Sequence, residues 1–133
     1  MWLMTKMGFF SIVKKGDVFG KKDTWCVRAR ARKDLENLKE FSVLKGDIIE
    51  TLEDADYHYR VFINGKELDN LFRLLPSSIE YPNFKQMIHK NSDQEEKHPF
   101  YLECWKALWV YQMVKERLER KTKLPVLLKA KKK

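Results

Sequence analysis

Apolar and charged positions alternate strictly through residues 25–32, Trp-Cys-Val-Arg-Ala-Arg-Ala-Arg. As a strand this run puts Val27, Ala29 and Ala31 on one face and Arg28, Arg30 and Arg32 on the other. Three guanidinium groups would then stand in a row about 7 Å apart, twice the rise per strand residue. The β-branched and aromatic run from Gly8 to Lys15 predicts a preceding strand that stops at Gly16-Asp17, with Gly20 and two lysines in a hairpin loop before Thr24. From Lys33 the period changes to helical: Leu35, Leu38 and Phe41 recur on one side, Asp34 and Glu36 occupy the first turn, and Gly46 marks the end.

Residues 47–52 and 57–63 predict a third and fourth strand around a polar turn at 53–56. Asn64 is placed to cap a helix that carries Leu68, Leu71, Phe72 and Leu75, and Pro76 stops it. Pro82 opens a short helix with Phe84, Met87 and Ile88 inward, and Pro99 opens the last and longest, to about Arg120. The predicted fold is therefore α+β: a four-stranded, mainly antiparallel sheet with helices packed on one face, in a ferredoxin-like arrangement or a permutation of it. Residues 1–119 read as a single domain and 120–133 as a basic C-terminal tail, whose Val126, Leu127 and Leu128 could dock on the body or on a partner.

Charge sharpens this picture. The chain has 133 residues and a formal net charge of +8, but its sign changes along the sequence. Residues 1–33 hold nine Lys or Arg against two acids, residues 34–119 hold eleven against seventeen, and residues 120–133 hold seven and no acid. The middle is acidic, so a partner bearing phosphates would meet the first strands and the tail rather than the whole surface. The apolar opening is broken by Lys6 and Gly8 and reads as structure rather than an export signal. No apolar run approaches the roughly 20 residues that span a bilayer, so no membrane partner is expected. Cys26 and Cys104 read as free thiols of a cytoplasmic protein.

If the second and fourth strands are neighbours, one sheet face gathers Arg28, Arg30, Arg32, His58 and Arg60. Arginine suits an anion site because its planar fork grips phosphate or carboxylate at two points and keeps its charge. The competing expectation is a solvated face whose arginines meet Glu50, Glu53 or Asp56. Trp25, Tyr57, Tyr59 and Phe62 interleave with these charges; since Tyr57, Tyr59, Val61 and Ile63 share one parity, the rings are expected mainly in the core rather than stacked on bases. The glycine-aromatic signature of the common RNA-recognition sheet is missing. Phe100, Tyr101, Trp105, Trp109 and Tyr111 make the last helix aromatic over a wider arc than one sheet face needs, which leaves room for a homodimer around Trp105 and Trp109.

Catalytic readings are thinner. Cys26 beside Arg28 could serve as a nucleophile, and His58 and Arg60 with Asp54 or Asp56 as a hydrolytic set, but no spacing fixes a role. His89, His98 and Cys104 stand nine and six residues apart, unlike the tight pairs of structural zinc sites. Neither a metal nor a cofactor is expected, and there is no glycine-rich phosphate loop.

The blocks Gly8-Phe9-Phe10-Ser11-Ile12-Val13, Val27-Arg28-Ala29-Arg30, Asp56-Tyr57-His58-Tyr59-Arg60-Val61, Tyr81-Pro82-Asn83-Phe84-Lys85 and the pair Tyr101 and Trp105 resemble the pattern of a small uncharacterised family of bacterial proteins. The likeness spans most of residues 1–109 and implies that these blocks belong to one fold; it brings no activity, cofactor or catalytic residue. The chain departs from the pattern at 16–22 and after Trp109, where a specialised partner would engage. The leading expectation is a non-enzymatic protein that holds RNA, DNA or another polyanion on the arginine face, aided by Lys129, Lys131, Lys132 and Lys133. The alternatives are an interaction module or inhibitor that binds an acidic partner protein, such as a nucleic-acid-handling enzyme, and a small nuclease or phosphodiesterase.

Overall fold

The computed structural model describes residues 1–51 and 55–130, with side chains through Lys121. The chain divides into two compact units, 1–95 and 96–133. In the first unit β1 (Trp2–Thr5), β2 (Gly8–Val18), β3 (Lys21–Ala29), α1 (Arg32–Ser42), β4 (Ile49–Glu50), β5 (Tyr59–Ile63), α2 (Gly65–Leu74), a 3-10 turn (Leu75–Ser78) and α3 (Phe84–Lys90) follow in order. The strands form one open sheet, β1-β2-β3-β5-β4, in which every neighbouring pair is antiparallel.

The α+β class stands, with five strands where four were expected. The extra one is β1, which folds back on β2 so that Trp2 lies opposite Ser11 and Thr5 opposite Gly8. The Thr5 hydroxyl closes this turn by accepting from the Met7 and Gly8 amides at 3.1 and 3.3 Å. Three strands precede the first helix, so the order is not the β-α-β-β-α-β of a ferredoxin-like arrangement. Gly16 does not turn the chain either. It sits at a register irregularity within β2 with φ 72°, where a bulge absorbs it. The hairpin turns three residues later at Phe19 and Gly20, whose φ values of 52° and 72° give the primed turn that matches strand twist.

One face of the sheet makes the core. Phe10 and Ile12 of β2, Val27 and Ala29 of β3, and Val61 and Ile63 of β5 meet Leu35 and Leu38 of α1 and Leu71 of α2. Each large side chain sealed in this way stabilises the fold by about 1.5–3 kcal/mol. Ala29, fully buried, offers no bulk to hold α1 off the sheet. Polar ties fix the helix start: Asp34, 1 % exposed, accepts from the Phe9 amide and from Gln94 Nε2, both at 3.1 Å. Gln94 Nε2 and Asn37 Nδ2 also donate to the Met7 carbonyl.

Asn64 caps α2 as its sequence predicts, accepting from the Glu67 amide at 3.0 Å while Glu67 returns a bond to the Asn64 amide. Replacing Asn64 by alanine should cost about 1 kcal/mol in a urea melt. The helix ends at Leu74, where Pro76 lies in the following 3-10 turn. Asn83 caps α3 and leaves Pro82 just outside it. At the β5 border Gly46 packs against the strand's backbone: a Cβ there would stand 2.7 Å from the Phe62 carbonyl oxygen.

The second unit is built on α4 (His98–Ala130), a helix of 33 residues that passes the expected end near Arg120. No described helix is long and apolar enough to cross a membrane.

Candidate anion-binding face

Opposite the core, the register sets side chains in rows across the strands. Trp2 lies beside Ser11, Ser11 beside Arg28, Arg28 beside Arg60, and Arg60 beside Ile49. The third and fourth residues of this row, Arg28 and Arg60, are direct cross-strand partners because β3 and β5 pair directly. Such like charges repel when set side by side.

The three expected strand arginines separate. β3 ends at Ala29, so the alternation does not continue: Arg30 follows the strand in a bend and Arg32 opens α1, where its Nε donates to Glu36 at 3.0 Å. Arg32 therefore belongs to the helix and not to the sheet row expected of it. Arg30 stays with Arg28 through Tyr57, a ring whose sequence parity predicts the core side. Tyr57 is buried, and the guanidinium carbons of Arg28 and Arg30 lie 4.7 and 4.3 Å from its ring centroid. The bends at residues 56 and 58 interrupt the alternation before β5 begins, so Tyr57 does not share the side of Val61 and Ile63. Tyr59 and Trp25 do pack against the core, as expected.

Hydroxyls and a backbone oxygen orient the charges. Arg28 Nη2 donates to the buried Ser11 hydroxyl at 2.7 Å, and Arg60 Nη2 reaches the Thr51 hydroxyl at 3.3 Å and the Tyr57 carbonyl at 3.4 Å. Among the described residues no carboxylate pairs with Arg28, Arg30 or Arg60, and the buried Nε atoms of Arg28 and Arg60 have no partner. Glu50 and Asp56, two of the expected counterions, are exposed and make no such pair; Glu53 lies outside the described residues. Phe9 adds a further ring, 5.8 Å from the Arg30 guanidinium, and Trp2 meets Phe9 edge-on at 6.0 Å. Ser11, Thr51, Phe9 and Trp2 escaped notice because a strand's partners are non-local; only the alternation Phe9, Ser11, Val13 signalled which side they share.

The remaining site residues lie elsewhere or differ in character. His58 is exposed, its ring 6.5 Å from Tyr59. Lys131, Lys132 and Lys133 lie outside the described residues, as does Asp54, and Lys129, like Val126, Leu127 and Leu128, is described as backbone only. Cys26, on the same side as Arg28, is fully buried, and burial pushes its thiol above the ordinary range despite the opposing pull of Arg60, Arg28 and Lys15. A thiol held protonated is a poor nucleophile. In α4, Trp105 and Trp109 stack at 6.4 Å and remain half exposed.

No family model matches this chain, and no curated protein or solved structure proves significantly similar to it.

Proposed function

We propose that this chain is a non-enzymatic binding protein that holds a polyanion on the face of Arg28, Arg30 and Arg60. One observation carries the reading. Two guanidinium groups flank one buried tyrosine ring, a third stands directly across the ladder, and no described carboxylate neutralises them. Holding like charges together costs stability unless an anion offsets it. Arg28 and Arg60 commit Nη2 to Ser11, Thr51 and Tyr57 and bury Nε, so the rest of each guanidinium, with Arg30 beside them, is what meets a phosphate. The lysines after Arg120 add charge that does not depend on sequence.

RNA and DNA are the polyanions that best fit this chemistry. Titration of a labelled oligonucleotide at rising salt should give a log–log slope of about −0.7 to −0.9 for each phosphate contacted. Absence of binding at low salt would remove the reading. An acidic partner protein is the other occupant such a face could take, and its complex would survive nuclease treatment.

The helix α4 supports a second copy of the chain as its partner. Trp105, Leu108, Trp109, Val110, Tyr111, Met113 and Val114 are all half or more exposed or close to it, on every side of the helix. Over residues 105–114, Lys106 and Gln112 apart, the helix is apolar all round, and such a stretch calls for cover. Residues 98–121 extend about 36 Å, and pairing two such lengths is in reach of the roughly 800 Å² per partner of a stable interface. Sedimentation should show a dimer that Trp105→Glu with Trp109→Glu converts to monomer; a monomer at high concentration in the unaltered chain rules the pairing out.

A further inference from the structure

The open face holds more than charge. From the sheet edge inward, Trp2 touches Phe9 at 6.0 Å, Phe9 faces the Arg30 guanidinium at 5.8 Å, Arg30 covers Tyr57 at 4.3 Å, and Arg28 covers Tyr57 at 4.7 Å. Two rings, Trp2 edge-on to Phe9, thus lead into the cluster of Arg30, Tyr57 and Arg28, and the outermost ring, Trp2, is 72 % exposed. An anion site alone has no use for an exposed indole at its border, since a carboxylate or sulfate presents no π face. An unpaired nucleobase does.

We infer that the occupant of this face is a single-stranded nucleic acid, with one base stacked on Trp2 and the adjoining phosphates held by Arg28, Arg30 and Arg60. This rests on the polyanion reading above and narrows it. Trp2 and Arg28 are two strands apart in one row, which is about 10 Å between their backbones; the long arginine side chain shortens that reach. A duplex keeps its bases stacked inside and offers only its backbone, so Trp2 would add nothing to its binding. A single strand can give the protein both its backbone and its bases.

The test uses the full chain and three probes: a fluorescent twelve-residue oligothymidylate, the same length as a DNA duplex, and a heparin oligosaccharide, which has charge but no bases. The single strand should bind more tightly than the duplex at equal salt. Trp2→Ala should weaken the single strand about 5- to 150-fold and leave heparin unchanged, with Trp2→Phe retaining most of the affinity. Equal affinity for both DNA forms, or a Trp2→Ala loss that is the same for heparin, overturns the inference while the polyanion reading stands. Failure of all three probes to bind overturns both. The comparison of probes on the unaltered chain needs no variant, and circular dichroism of the two Trp2 variants checks their fold.

Discussion

Gly8→Ala should be the most damaging small substitution in the first unit, lowering stability by more than about 3 kcal/mol. Gly8 begins β2 with φ 156°, a conformation that side-chain-bearing residues rarely adopt. An added Cβ would also lie 2.3 Å from the Asp34 Cγ. Neither fault can be relieved cheaply. Moving Asp34 aside would strip the Phe9 amide and Gln94 Nε2 of their buried acceptor, and leaving a buried charge without its donors is costly. Gly20 is the internal control. It too has positive φ, 72°, but a Cβ there meets nothing within 4 Å, so Gly20→Asn, a residue that tolerates this geometry, should cost less than about 1 kcal/mol. Urea midpoints of the two variants measure the contrast. Equal midpoints would mean that the Asp34 network does not hold the sheet to α1 as described.

Neutralising Arg28, Arg30 and Arg60 together with glutamine should reduce affinity for a polyanion by about 1000-fold or more, since each charge-assisted contact is worth at least about 1.5 kcal/mol. Stability should respond in the opposite direction at one of these positions. Arg60 faces Arg28 across the ladder, and Arg60 makes only long bonds, at 3.3 and 3.4 Å. Arg60→Thr removes the repulsion and places a strand-favouring residue in β5, so it should raise stability slightly, by up to about 1 kcal/mol, while weakening binding. Arg28 has a short bond to a buried hydroxyl, and its replacement should not stabilise. A residue kept at the expense of the fold is one whose use lies outside the fold. If Arg60→Thr destabilises and leaves binding intact, the arginine pair is structural and the proposed face loses its support.

Much of the architecture was legible because its signals are local. The alternation at 25–29, the helical period after Lys33, the Asn64 cap and Pro76 each depend on a few adjacent residues, and each appears where its physics places it, although the strand stops at Ala29 and not at Arg32. The failures share a different origin. Gly16 has the same conformational freedom in a bulge as in a turn, and only the pairing with β3 selects between them. β1 has four residues beside a lysine, too short for its own pattern to declare it. Parity misplaced Tyr57 because parity holds only inside a regular strand, and the chain bends on both sides of that residue. The row of arginines was read as one strand's property; it is an assembly of β3, the bend after it and β5, held around one tyrosine.

The far border of the sheet has a bearing on crowding. β4 supplies only two residues to cover β5, and the Gly46 backbone closes over Phe62 beside them. A terminus so short and so tightly lidded offers little template for another chain's strand. Many copies gathered along one long polyanion would bring these borders within reach of each other, at local concentrations far above those in free solution. On the polyanion proposed above, that blunted border would let copies lie side by side without being stitched there into a common sheet.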